Sequence, residues 1–370
     1  MASRIVRVGV IGCGEIAQVS HIPTLNFLSD YFQVTYLCDI SIDALDHCRR
    51  KVAGPPPRTT KSAEELCSSS DVDAVLVCNA SAYHTEHAIL TLKNDKSVLV
   101  EKPLTSSYQD IDALQAAEKA SKGRLMVGYM RRYAPSFLDA ISEIGGASQV
   151  QYARVRDIVG PNATFVEQSG TFPKRFNDYA PEDSQALKEK DRKAADAALS
   201  LFRVPINNDT RLMLGALGGL GTHDLSAMRE VIGMPKSVKS AMLQLPIWTA
   251  TFDYGTFPVV YESGINQVPV FDAHIEVYGA DKIVRINYDT PYIKGLPTTM
   301  TVREKVTGPR GEICYQERHV RATYEDSYTM EFKAWYKCIV NGQGPKTTIE
   351  DARQDVDLMQ MLMRAGFGSV

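Results

Sequence analysis

Short apolar runs alternate with amphipathic stretches through the first third of the chain. Residues 4–11, 34–38, 74–78 and 98–100 read as strands, and residues 16–28, 43–52, 84–93 and 108–122 as helices between them. Such alternation predicts βαβ units and a parallel sheet. The run Gly54-Pro55-Pro56-Pro57 interrupts the pattern as a loop, and Ser62-Ala63-Glu64-Glu65 carries the hydroxyl and carboxylates of a capped helix start. A further strand over residues 125–129 closes a first domain, placed at residues 1–128.

Beyond Tyr129 the texture changes. Segments 150–158, 238–245, 271–278, 283–288 and 300–306 are longer and β-branched or alternating, which predicts a largely antiparallel sheet in a second domain, residues 129–370. The first strand of this domain is followed by a long excursion, residues 161–210, with a charged helical stretch at 181–201. Its composition is that of a solvated surface insertion, and its length leaves a substrate lid or a subunit contact as the other reading. Residues 349–365 read as a final helix begun by Thr348.

Composition narrows the function classes. At 370 residues, 44% hydrophobic and 23% charged, the chain is expected to be a folded, soluble protein of two domains. The formal net charge is −3 and the longest cationic cluster is Arg49-Arg50-Lys51, too short for a nucleic-acid track. Seven cysteines, odd in number and without a CxxC pair, read as reduced thiols in a cytoplasmic protein. No apolar leader segment follows Arg4 and no run has membrane-spanning length, so no membrane association is expected. The sequons at Asn162 and Asn208 are accordingly expected to stay unmodified.

The candidate chemistry begins at Gly12-Cys13-Gly14-Glu15-Ile16-Ala17, between a strand and a helix. Gly12 permits a tight turn, Gly14 lets backbone approach a pyrophosphate, and Ala17 keeps helix and strand close. The helix N-terminus adds N–H groups and a positive dipole end for the phosphates. Asp39, at the end of the next strand, suits ribose hydroxyls and repels a 2′-phosphate, which favours NAD(H) over NADP(H).

Lys102 ends the strand Val98-Leu99-Val100-Glu101 and is followed by Pro103, so it points into the crevice where open α/β sheets bind ligands. In alcohol oxidation a neutral lysine amine there can take up the hydroxyl proton, and the ammonium it becomes can steady a developing alkoxide. His223, in Gly218-Gly219-Leu220-Gly221-Thr222-His223-Asp224, stands just before an apolar-patterned helix expected over residues 225–232 and can exchange a proton with a substrate hydroxyl. His84 opens a helix and could line the cofactor crevice. No His/Cys/Asp grouping has zinc spacing and no Gly-x-Ser-x-Gly elbow occurs, which disfavours metal hydrolysis and serine chemistry.

These motifs together resemble the glucose–fructose oxidoreductase, inositol dehydrogenase and rhizopine-catabolism family, Gfo/Idh/MocA. The likeness runs through Gly12–Ala17, His21-Ile22-Pro23, Asp39, His84, Glu101-Lys102-Pro103, Gly128-Tyr129-Met130-Arg131-Arg132-Tyr133 and Gly221–His223. It implies an α/β protein with an N-terminal Rossmann dinucleotide-binding domain and a C-terminal α+β domain on a large, mainly antiparallel open sheet. It also implies nicotinamide redox on sugars, cyclitols or related polyhydroxy compounds, and a homo-oligomer, dimer or tetramer.

Carried onto this chain, the resemblance makes Lys102 and His223 the proton-handling pair. Glu15, Ile16, Asn79, Ser81, His84 and Glu101 join Gly12, Gly14, Asp39 and Lys102 as cofactor residues, and Met130 and Arg131 face the substrate. Two positions depart from the family pattern. The aspartate common four residues before the histidine is Gly219, and the one three residues after it is Ser226, which leaves Asp157 or Asp224 as substitutes. The Thr-Pro-Asn that commonly precedes His84 is altered as well, to Asn79-Ala80-Ser81. Two other functions fit the motifs: a redox-neutral lyase or glycosidase that uses NAD transiently, and a non-catalytic nucleotide-sensing regulator.

Overall fold

Six strands of the first half are β1 (Val6–Ile11), β2 (Phe32–Cys38), β3 (Arg58–Thr60), β4 (Ala74–Val77), β5 (Ser97–Glu101) and β6 (Leu125–Gly128). They form one sheet in the order β3-β2-β1-β4-β5-β6, and every neighbouring pair is parallel. The structure, a computed structural model, describes residues 4–368. Strands buried on both faces must be apolar throughout, and β4, Ala74-Val75-Leu76-Val77, is buried at every position. Strand order reverses between β1 and β4, the switch point at which such sheets open a crevice at their carboxyl ends. Gly12, Asp39, Asn79 and Lys102 follow β1, β2, β4 and β5 at that end.

Serine caps set three helix starts in this sheet's crossovers. Ser41 accepts from Ala44 N, Ser62 from Glu65 N and Ser107 from Asp110 N. The expected strands and helices recur with ends shifted by a few residues, and β3 is an addition. It has three residues, none of them buried, and so carries no apolar signal.

The chain divides into two units. The first combines Met1–Tyr129 with Val166–Ala198 and Glu331–Val356; the second comprises Met130–Phe165, Leu199–Met330 and Asp357–Val370. In the first unit the part of the helix Ser327–Asn341 that follows Met330 brings Phe332, Trp335 and Tyr336 against Phe32 of β2, with Trp335 stacked on Phe32 at 5.6 Å between centroids.

The second unit holds β7 (Tyr152–Val159), β8 (Ser237–Met242), β9 (Ile247–Asp253), β10 (Pro258–Ile265), β11 (Phe271–Tyr278), β12 (Lys282–Tyr288), β13 (Thr299–Thr307) and β14 (Ile313–Val320). Their order is β14-β13-β12-β11-β7-β10-β9-β8, antiparallel except where β10 pairs with β7. Period two puts Ala153, Val155 and Asp157 of β7 on one buried face. Asp157 therefore sits where the pattern calls for a hydrophobe. Among the described residues no helix is long and apolar enough to cross a membrane.

Candidate active site

In the first unit the carboxyl ends of β1, β2 and β4 open into a cleft of about 590 Å³. Gly12 has φ +105, and a Cβ on it would stand 2.6 Å from Asn79 N, so only glycine lets the loops after β1 and β4 meet. Gly14 lines the cleft, and a Cβ there would meet no protein atom within 4 Å; it would project into open space. The helix beyond widens into a π turn at Ala17–His21, a distortion frequent at functional sites.

Asp39 is fastened to this loop. Its two carboxylate oxygens accept from Cys13 N at 2.7 Å and Ser41 N at 2.9 Å, leaving further lone pairs for ligand hydroxyls. Of the expected cofactor residues, Gly12, Gly14, Glu15, Asp39 and Asn79 line the cleft. Ile16, Ser81, His84, Glu101 and Lys102 do not.

His84 is buried, with Nδ1 2.8 Å from Pro103 O and Nε2 3.1 Å from Asn79 O. Burial lowers its pKa against the pull of those carbonyls. It ties the turn after Lys102 to the loop after β4. Glu101 is also buried; it accepts from Lys102 N at 3.1 Å and lies 3.0 Å from His21 Nε2. Burial pushes its carboxyl up, but the His21 hydrogen bond and charge, together with Lys102, hold it below the ordinary glutamate value. Glu331, fully buried with no hydrogen bond to either carboxylate oxygen, is pushed well above that value by burial and by the charge of Glu101.

Sequence reasoning missed the part of the cleft built by the excursion. Lys174, Arg175, Phe176 and Tyr179 line it, as do Gln18, Ser41, Tyr83 and His87. Only the unusual length of the 161–210 segment hinted at this.

In the second unit the helix Thr222–Ile232 starts earlier than the apolar pattern indicated, so His223 falls in its first turn and is half-buried. A π turn, Leu217–Gly221, leads into it. Arg131 is 5% exposed and lies 3.0 Å from Asp157 and 2.5 Å from Asp224, both fully buried. Its guanidinium also covers the Tyr288 ring at 4.7 Å. Burial alone would lower its pKa, but the two carboxylates raise it. Asp224 is pushed well above the ordinary aspartate value by burial and by Asp157, against the opposing pull of Arg131.

One buried cation thus faces two buried carboxyl groups. The structure brings Arg131, Asp157 and Asp224 together in the core of the unit, and Met130 is buried too. Lys102 belongs to the first unit and His223 to the second. Among the described residues no group of three or more His, Cys, Asp or Glu is placed to hold a metal ion.

Comparison with known proteins gives a consistent picture. A family model described as an oxidoreductase family with an NAD-binding Rossmann fold matches residues 6–129. Inositol 2-dehydrogenase 3 of Saccharopolyspora erythraea is 38% identical over 340 residues, 91% of this chain and 86% of that protein. Myo-inositol 2-dehydrogenase of Thermotoga maritima is 26% identical over 351 residues, 94% and 92% of the two chains. A 3-ketoreductase from Actinomadura kijaniata, solved in complex with NADP, superposes with a TM-score of 0.70 at 16% identity over 98% of each chain, a likeness of fold.

Proposed function

The chain belongs to the Gfo/Idh/MocA oxidoreductase family, and on that premise we propose an NAD(H)-dependent dehydrogenase of cyclitols or sugars, with Lys102 and His223 as its proton-handling groups. The observation that carries the cofactor reading is the Asp39 carboxylate, held by Cys13 N and Ser41 N beside a loop in which Gly14 leaves the cleft open. A dinucleotide fits these residues: the glycine loop and the helix start after it would hold its pyrophosphate, and Asp39 would accept ribose hydroxyls while disfavouring a 2′-phosphate. A bound nicotinamide would supply the hydride acceptor for oxidation of a carbinol carbon and the donor for the reverse reaction.

The chain's own residues manage the proton. Lys102 takes the hydroxyl proton as the alkoxide develops and returns it in the reverse direction. Glu101 positions Lys102 through its backbone N–H, and His84 holds the turn that follows. His223 exchanges a proton with a substrate hydroxyl from the first turn of its helix. Because Arg131, Asp157 and Asp224 are buried and bound to one another, they act as positioning residues, fastening β7 to the helix that carries His223. The enzyme works in this reading as a cytoplasmic homo-oligomer.

The test follows absorbance at the reduced-nicotinamide band, with NAD and with NADP, across inositols, sugars and their keto forms. The expected result is turnover of a cyclitol or sugar with kcat/KM higher for NAD. No turnover on the full panel, or a preference for NADP, overturns the corresponding part of the reading.

A further inference from the structure

Residues 166–198 fold with the nucleotide unit, although in sequence they lie far beyond it. They are stitched to the cleft at three places. The Gln18 side chain donates to Lys174 O at 3.0 Å and accepts from Lys174 N at 2.8 Å, while its amide also reaches Cys13 O at 2.9 Å. The Asp178 carboxylate accepts from the Ser41 hydroxyl and from Asp43 N. Farther along, the Lys190 ammonium pairs with Glu86 and lies 3.9 Å over the Tyr83 ring. The segment therefore crosses from the glycine loop, past the Asp39 turn, to the helix that follows β4.

Its cleft-lining side chains have the chemistry of a dinucleotide's ADP half. Lys174 and Arg175 stand directly at the tie to Gln18, beside the helix start where a pyrophosphate is favoured. Arg175 meets Glu15 at 3.6 Å while its side chain is 92% exposed, a weak pair that an anion can displace. Phe176 and Tyr179 add half-buried aromatic surface suited to a base or ribose face.

We propose that residues 174–190 are the second wall of the cofactor site. Lys174 and Arg175 neutralise the pyrophosphate, Phe176 and Tyr179 cover the adenosine, and the three ties make cofactor exchange slow. This rests on the dinucleotide reading of the cleft. Release of the ADP half requires the wall to open, so the dissociation rate reports the ties at Gln18, Asp178 and Lys190, and affinity reports the two cations.

The experiment uses the full chain and its K174A/R175A and D178A variants, each checked for an unchanged far-ultraviolet spectrum and melting temperature. NADH release is followed by stopped-flow loss of bound-NADH fluorescence on mixing with excess NAD, and ADP-ribose binding by calorimetry. K174A/R175A is expected to weaken ADP-ribose at least tenfold and to flatten the salt dependence of its affinity. D178A is expected to speed NADH release severalfold. Wild-type affinity in the first variant together with a wild-type release rate in the second overturns the proposal while leaving the dinucleotide reading intact. Failure of the wild-type protein to bind NADH or ADP-ribose at all overturns both.

Discussion

Asp39, part-buried at the cleft, and Glu331, fully buried, are two carboxyl groups with opposite circumstances. Asp39 accepts two backbone hydrogen bonds that also shape the glycine loop. Its replacement in D39A removes charge-assisted bonds of about 1.5–3 kcal/mol each before compensation by water. NADH affinity, measured by fluorescence titration, is expected to fall at least tenfold, with NADPH affected less. Glu331 instead has no hydrogen bond to either carboxylate oxygen, and its folded pKa is raised. Its stabilising protonated form is fully present below the unfolded-state pKa and is lost as pH rises through the higher folded value. Urea unfolding of the wild-type protein should therefore show stability declining with pH across that window. E331Q, neutral throughout, should lose this component of the slope and gain stability relative to wild type at the high-pH end. Parallel pH profiles for the two proteins would show that Glu331 carries no such linkage.

Elements, in contrast, are held by pairings that join distant segments. Arg131 bridges β7 and the helix Thr222–Ile232 through Asp157 and Asp224. Removing the cation leaves two buried carboxyl groups facing each other, and R131A is expected to lose about 3–5 kcal/mol of unfolding free energy in denaturant titration. A loss below about 1 kcal/mol would mean that the cluster relaxes into water. The sequence carried the local half of this arrangement. It placed β7, and β11 with its observed ends, because period-two alternation depends only on neighbours. It missed β3, whose exposed Arg58-Thr59-Thr60 has no apolar run and gains its strand geometry by pairing with β2. It also stopped short of the true start of the His223 helix, since the glycines before it mask helical character.

At the scale of the whole molecule, the proposed reaction names two proton-handling residues, Lys102 in the first unit and His223 in the second. K102M and H223A are each expected to lower kcat/KM by about 10²–10⁴-fold, the usual span for general acid–base groups, while NADH titration stays near wild type. Unchanged kcat/KM in either variant removes that residue from the mechanism. The cofactor wall illustrates why this level is the hardest to read in a sequence. Gln18 and Lys174 are separated by 156 positions, and Ser41 and Asp178 by 137. Alternating periods, serine caps and the Gly12 turn were determined by the sequence alone, because steric limits and short-range hydrogen bonds act between near neighbours. Tertiary structure decided that a charged excursion lines the nucleotide cleft and that Arg131 is spent on Asp157 and Asp224. The energies there come from desolvation and charge pairing, which depend on partners that only the folded chain brings within reach.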